Sequence, residues 1–134
     1  MKNEPMETQI TEQAITRLVD GFYASVRQDS QLAPVFDRAI AEAEWPAHLD
    51  TMYRFWSSVM LTSGRYKGNP MAVHMGVAGI APGLFPRWLA LFEAKAKELF
   101  APELAAAFIA KAQRIAESLK LALFFDQARP ERIL

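Results

Sequence analysis

Apolar residues recur along this chain at offsets of three and four, and no stretch alternates with a period of two, so the pattern predicts helices throughout. Thr11 suits the cap of a first helix reaching about Arg27, with Ile15, Leu18, Val19, Phe22, Tyr23 and Val26 on one face. Asp29 and Ser30 break that pattern. Pro34 opens a short helical turn through Val35 and Phe36, and a polar, alanine-rich stretch runs on to Glu44. Pro46 fits the first turn of a longer helix ending near Gly64. Two adjacent stripes of it are apolar, Leu49, Tyr53, Trp56 and Met60 beside His48, Met52, Phe55 and Val59, as in a helix covered on more than one side. Asn69 and Pro70 make the cap and first position of a short helix carrying His74, closed by Gly76, Gly79 and the Pro82-Gly83 pair. Phe85, Trp88, Leu89, Phe92, Ala96 and Leu99 mark a fifth helix. Pro102 starts a sixth, with Leu104, Phe108, Ala112, Ile115, Leu119 and Leu123 along one face. The expected organisation is one all-α domain over 1–134, with loose termini at 1–10 and 127–134.

Composition narrows the chemistry. At 134 residues the chain is one ordinary domain, able to bury roughly two thirds of the surface its unfolded form exposes. Fifteen basic residues balance fifteen acidic ones, so no global field draws in nucleic acid or anionic lipid. The absence of cysteine excludes disulfides, thiolate zinc sites and a catalytic thiol. The amino-terminal MKNEPMETQ has no apolar stretch resembling a signal sequence. No apolar run approaches the roughly 20 residues of a membrane span, which makes a cytoplasmic protein the expectation. The 51% hydrophobic content, with nine Phe, three Trp and six Met, is generous for this length. Such a supply of rings either fills a tight core or lines a cavity that something else fills.

His48 and His74 are the only histidines, and each sits on an apolar stripe. One reading makes both of them core residues, each donating to a backbone carbonyl. Two histidines alone do not complete a zinc site, and no carboxylate lies within four residues of His74. The serines form no nucleophile elbow, and no glycine-rich phosphate loop is present. A cofactor that brings four ligands of its own, and asks the protein for one imidazole and a flat apolar slot, fits what is left. Haem is such a cofactor. Phe22, Phe36, Phe55 and Phe85, with Met52, Val77 and Ile80, could line its two faces.

The segments "ITRLVDGFY", "APVF", "HLDTMYRFWSSVML", "GNPMAVHMGV" and "FPRWLALFE" occur in this order over nearly the whole chain. In order and spacing they resemble the truncated haemoglobins, and within that family the third group. A histidine at position 48 and the lack of a Gly-Gly pair also favour that group. The resemblance implies a single globin domain folded as a two-over-two helical sandwich, in which the helices of Tyr23 and His48 cross the last two long ones. It implies haem b, with His74 as proximal iron ligand, Phe36 flat against the porphyrin, and Tyr23, His48 and Trp88 over the opposite face. Arg54, Arg65, Tyr66 and Lys67 fall near the expected haem edge, with Tyr66 and Arg65 the chosen candidates for the propionates.

Some consequences are chemical. The helix of His74 carries no Asp or Glu from 70 to 78, so the local acceptor for its Nδ1–H is a backbone carbonyl one turn earlier, such as that of Pro70. Buried donors from Tyr23, His48 and Trp88 would stabilise a bound diatomic such as O2, NO or CO, each by on the order of 1 kcal/mol or more. That favours retention, sensing or reaction over bulk transport. The alternatives are a haem enzyme for NO dioxygenation or peroxide turnover, served by a reductase, and a haem-free helical interaction or regulatory module.

Overall fold

A computed structural model describes residues 6–75, 77 and 79–125. Its helices are α1 (Glu12–Val26), α2 (Ala33–Ala39), α3 (Trp45–Leu61), α4 (Pro70–Met75), α5 (Leu84–Leu99) and α6 (Pro102–Lys120). A single 3-10 turn, Glu42–Glu44, leads into α3, and α6 runs on into a π-helical turn, Leu121–Phe125. Among the described residues there is no β-sheet, and no helix is long and apolar enough to cross a membrane.

The starts follow local chemistry. Thr11 accepts a hydrogen bond from the Ala14 amide at 3.0 Å and so caps α1. Pro34, Pro46 and Pro102 stand in the first turns of α2, α3 and α6, where a missing N–H costs nothing. α3 stops at Leu61, short of the expected end near Gly64, because Thr62 turns left-handed at φ 51° and breaks the helical register. Gly76, expected to close α4, lies outside the described residues, as do 127–134. Gly79 does have φ 91°, and the Arg38 guanidinium occupies the place a β-carbon would take, so this glycine lets the end of α2 close over the loop after α4. The segment expected to be loose at the amino terminus is held at Glu7. Its amide donates to the Leu99 carbonyl at 2.7 Å and its carbonyl accepts from the Ala101 amide at 3.0 Å, tying the chain to the α5–α6 junction.

α1 packs on α3 and on α5, and α5 packs on α6. Aromatic rings fill the crossing. Trp56 of α3 stacks on Phe92 of α5, with centroids 5.0 Å apart and planes at 18°, and Phe92 stacks in turn on Trp88 at 5.9 Å and 9°. Phe22 of α1 meets Phe92 and Trp88 edge-on, while Phe108 of α6 approaches Trp56 at 5.9 Å. α1 and α3 thus form one layer and α5 and α6 the other, with α2 and α4 as short connecting pieces.

Asp29, read from the sequence only as a break, is a buried joint. Its Oδ2 accepts from the amides of Gln31 and Leu32, each at 3.0 Å, and its Oδ1 accepts from Arg87 Nε at 2.7 Å. The hydrogen bond from Arg87 holds the carboxyl below its usual range, opposed by burial and helped by the two amides and the Arg87 charge. With the folded value lowered, the stabilisation is present above the ordinary carboxylate range and lost as pH falls through the folded value. Urea unfolding at neutral and acid pH should therefore show Arg87→Met less acid-sensitive than the parent, with its stability deficit largest near neutrality.

Candidate functional site

The two histidines stand on different helices, α3 and α4. His48, on the first turns of α3, has a buried Nε2 with no hydrogen-bond partner among the described residues. Burial, and then the charge of His74, lower its pKa. The imidazole is accordingly neutral near pH 7. An unpartnered buried ring nitrogen is costly unless some group is to be bound there. On α4, His74 is half-buried, and its Nδ1–H donates to the Pro70 carbonyl at 2.7 Å, the acceptor anticipated from the absence of local carboxylates. That bond orients the ring and leaves Nε2 as the nitrogen that could bind a metal.

Tyr23 is buried at 5% exposure on the inner face of α1, and burial pushes its phenol well above the usual range, keeping it a neutral donor. Its ring meets His48 edge-on at 5.0 Å and Phe36 at 5.9 Å. Trp88, half-buried on α5, is placed by the stack with Phe92 and by the edge of Phe22, next in sequence to Tyr23. Tyr23, His48 and Phe36 therefore form one cluster, and Trp88 approaches from the neighbouring helix through Phe22.

The α3 stripe of His48, Met52, Phe55 and Val59 is only half-buried, although most of it is apolar. Val77, Ile80 and Phe85, which follow His74, are half-buried too. Phe85 meets Phe124 of the terminal π turn edge-on at 6.2 Å. Tyr66 lies edge-on to Phe55 at 5.2 Å and its amide donates to Ser58 Oγ at 2.8 Å, which sets it beside the outer end of that stripe. Arg65, the other candidate for the propionates, is turned elsewhere: its guanidinium pairs with Glu12 at 2.8 Å. Glu12 also accepts from buried Ser57, so Arg65 belongs to a clasp between the α3–α4 loop and the start of α1. Arg54 pairs with Asp50 at 3.0 Å along α3.

Sequence reasoning missed Trp45. It is buried at the first position of α3, edge-on to His48 at 5.3 Å and to Tyr23 at 5.8 Å, and nearly parallel to Phe36 at 6.5 Å. The available signal was its offset of three from His48, which puts both on one helix face.

The residues present fit a haem. His74 commits Nδ1 to a backbone carbonyl on a short helix, His48 has a buried nitrogen unpartnered among the described residues, and half-covered apolar positions accompany both. The fold is a two-layer helical sandwich with one histidine on α3 and the other on α4. The chain matches no family model. It is 31% identical over 117 residues to the group 3 truncated hemoglobin ctb of Campylobacter jejuni, an alignment covering 86% of this chain and 92% of that protein. The crystal structure of a group III truncated hemoglobin from Campylobacter jejuni superposes with a TM-score of 0.85 at 30% identity, covering 90% of this chain and 96% of that one. The chain belongs to the group III truncated haemoglobins, a membership that implies a haem cofactor.

Proposed function

We propose that residues 1–134 form one globin domain that holds haem b through His74 Nε2 and retains O2, and other diatomics such as NO or CO, against Tyr23, His48 and Trp88. The observation that carries this reading is the pair of imidazoles, His74 with Nδ1 committed to Pro70 so that Nε2 is left to coordinate, and His48 with a buried Nε2 unpartnered among the described residues. When bound, the haem would supply an iron able to take a diatomic ligand. Phe36, Met52, Phe55, Val77, Ile80 and Phe85 supply apolar walls that exclude water, with Tyr66 at the edge. The Tyr23 phenol, held neutral by burial, donates a hydrogen bond to the diatomic. His48, also neutral, can donate or accept at Nε2 according to tautomer, and the Trp88 indole N–H donates only.

One observation bears on the enzymatic alternative. The Nδ1–H of His74 meets a backbone carbonyl rather than a carboxylate. A carboxylate partner would make the ligand more basic and favour O–O cleavage, so this pairing suits diatomic retention better than strong peroxide turnover. NO dioxygenation, with a reductase restoring the iron, remains the second reading because His48 has a nitrogen free to move a proton.

Absorption spectra of haem-loaded protein in oxidised, reduced and CO-bound forms test the proposal. A strong Soret band that shifts on reduction and on CO addition is expected, whereas a folded, colourless protein would support the haem-free module. Stopped-flow oxygen release from Tyr23→Phe and from His48→Leu should each be faster by roughly tenfold, the equivalent of one lost donor of about 1.4 kcal/mol. Unchanged release in both would remove the donors from the proposal.

A further inference from the structure

The entrance to α3 carries an arrangement that the pocket described above does not use. Trp45 is 3% exposed and is in T-shaped contact with His48 and with Tyr23, with interplanar angles of 85° and 62°. On the outside, the Arg27 guanidinium lies 4.4 Å from the centroid of the same indole and pairs with Glu42 at 2.6 Å. Arg27 is the residue on which α1 ends and Glu42 lies in the 3-10 turn before α3, so the end of α1 and the turn into α3 are tied together beside this indole. Pro46 fixes the backbone immediately after Trp45, which limits how far the indole can move without its helix.

We infer that Trp45, clamped from outside by Arg27 and Glu42, is the positioning residue that holds the His48 imidazole edge-on to Tyr23 and shields its Nε2 from solvent. An edge-on ring contact constrains orientation as well as area, and the guanidinium over the indole adds an attraction that an aliphatic residue would not provide. Trp45 need not touch the diatomic; it acts through His48. Its bearing on ligand handling rests on the haem reading, while the packing relation does not.

The test uses chemical labelling of the full chain with diethyl pyrocarbonate, which acylates accessible neutral imidazoles. Trypsin places His48 alone in the peptide Ala39–Arg54 and His74 alone in Gly68–Arg87, so mass spectrometry reads each histidine separately. In haem-loaded and haem-free protein alike, Trp45→Leu should raise the His48 labelling rate on the order of tenfold, and Trp45→Phe, which keeps a ring, should stay within about twofold of the parent. Arg27→Met should give a smaller rise, on the order of threefold. Leu89→Ala, a destabilising change on another helix, should leave the His48 rate near the parent value and separates general loosening from loss of positioning. An unchanged rate in Trp45→Leu, or an equal rise in Trp45→Leu and Trp45→Phe, overturns the inference. If neither Trp45 variant folds, an unchanged rate in Arg27→Met overturns it. Failure of the haem reading looks different: His74 would then label equally fast with and without haem.

Discussion

His74→Ala is expected to lose most of the Soret absorbance of haem-loaded protein and to pass its remaining haem to an acceptor globin at least about a hundredfold faster. The chain has two histidines and no cysteine, and the other histidine stands on α3. Nδ1 of His74 is already committed to Pro70, so the imidazole coordination that α4 offers resides in one nitrogen. Linkage gives the effect a second readout, because a ligand at about a thousand times its dissociation constant stabilises the native state by about 4 kcal/mol. The parent should therefore melt well above its haem-free form, and the variant should show little such difference. A variant with an unaltered spectrum and full haem-dependent stabilisation would exclude His74 as the ligand.

Trp56→Ala is expected to cost about 3–5 kcal/mol of stability in urea unfolding, a large share of the roughly 5–15 kcal/mol a domain possesses. Trp56 is 3% exposed and stacks on Phe92 while abutting Phe108, so its removal opens a cavity where α3, α5 and α6 meet. Trp56→Phe should lose less, since a smaller ring can still stack on Phe92. A loss below about 1 kcal/mol in Trp56→Ala would mean that the neighbouring rings close the gap.

These two residues also mark how far the sequence could be read. Both lie on apolar stripes visible in the one-dimensional pattern, and the pattern placed their helices correctly because burial repeats with the helical period. It could not separate their roles. Trp56 faces the crossing helices and is fully covered, whereas His74 is only half-covered, and the difference depends on what each helix face meets. The end of α3 at Leu61 was similarly hidden, since Thr62 is an unusual residue for a left-handed turn and Gly64 was the stronger local signal. Asp29 looked like punctuation because its partner, Arg87, is remote in sequence. Arg65 looked like a basic residue at a cofactor edge, and only the return of the chain beside α1 shows that Glu12 occupies it.

What the sequence determined by itself was the all-helical character, the prolines and Thr11 that start helices, and the backbone acceptor for His74, all of which depend on neighbours within one turn. The cluster of Tyr23, His48 and Phe36, the buried joint of Asp29 and Arg87, and the indole of Trp45 under Arg27 were decided by tertiary structure. Each needs segments brought together by folding, and helical periodicity says which face of a helix is covered without saying by what.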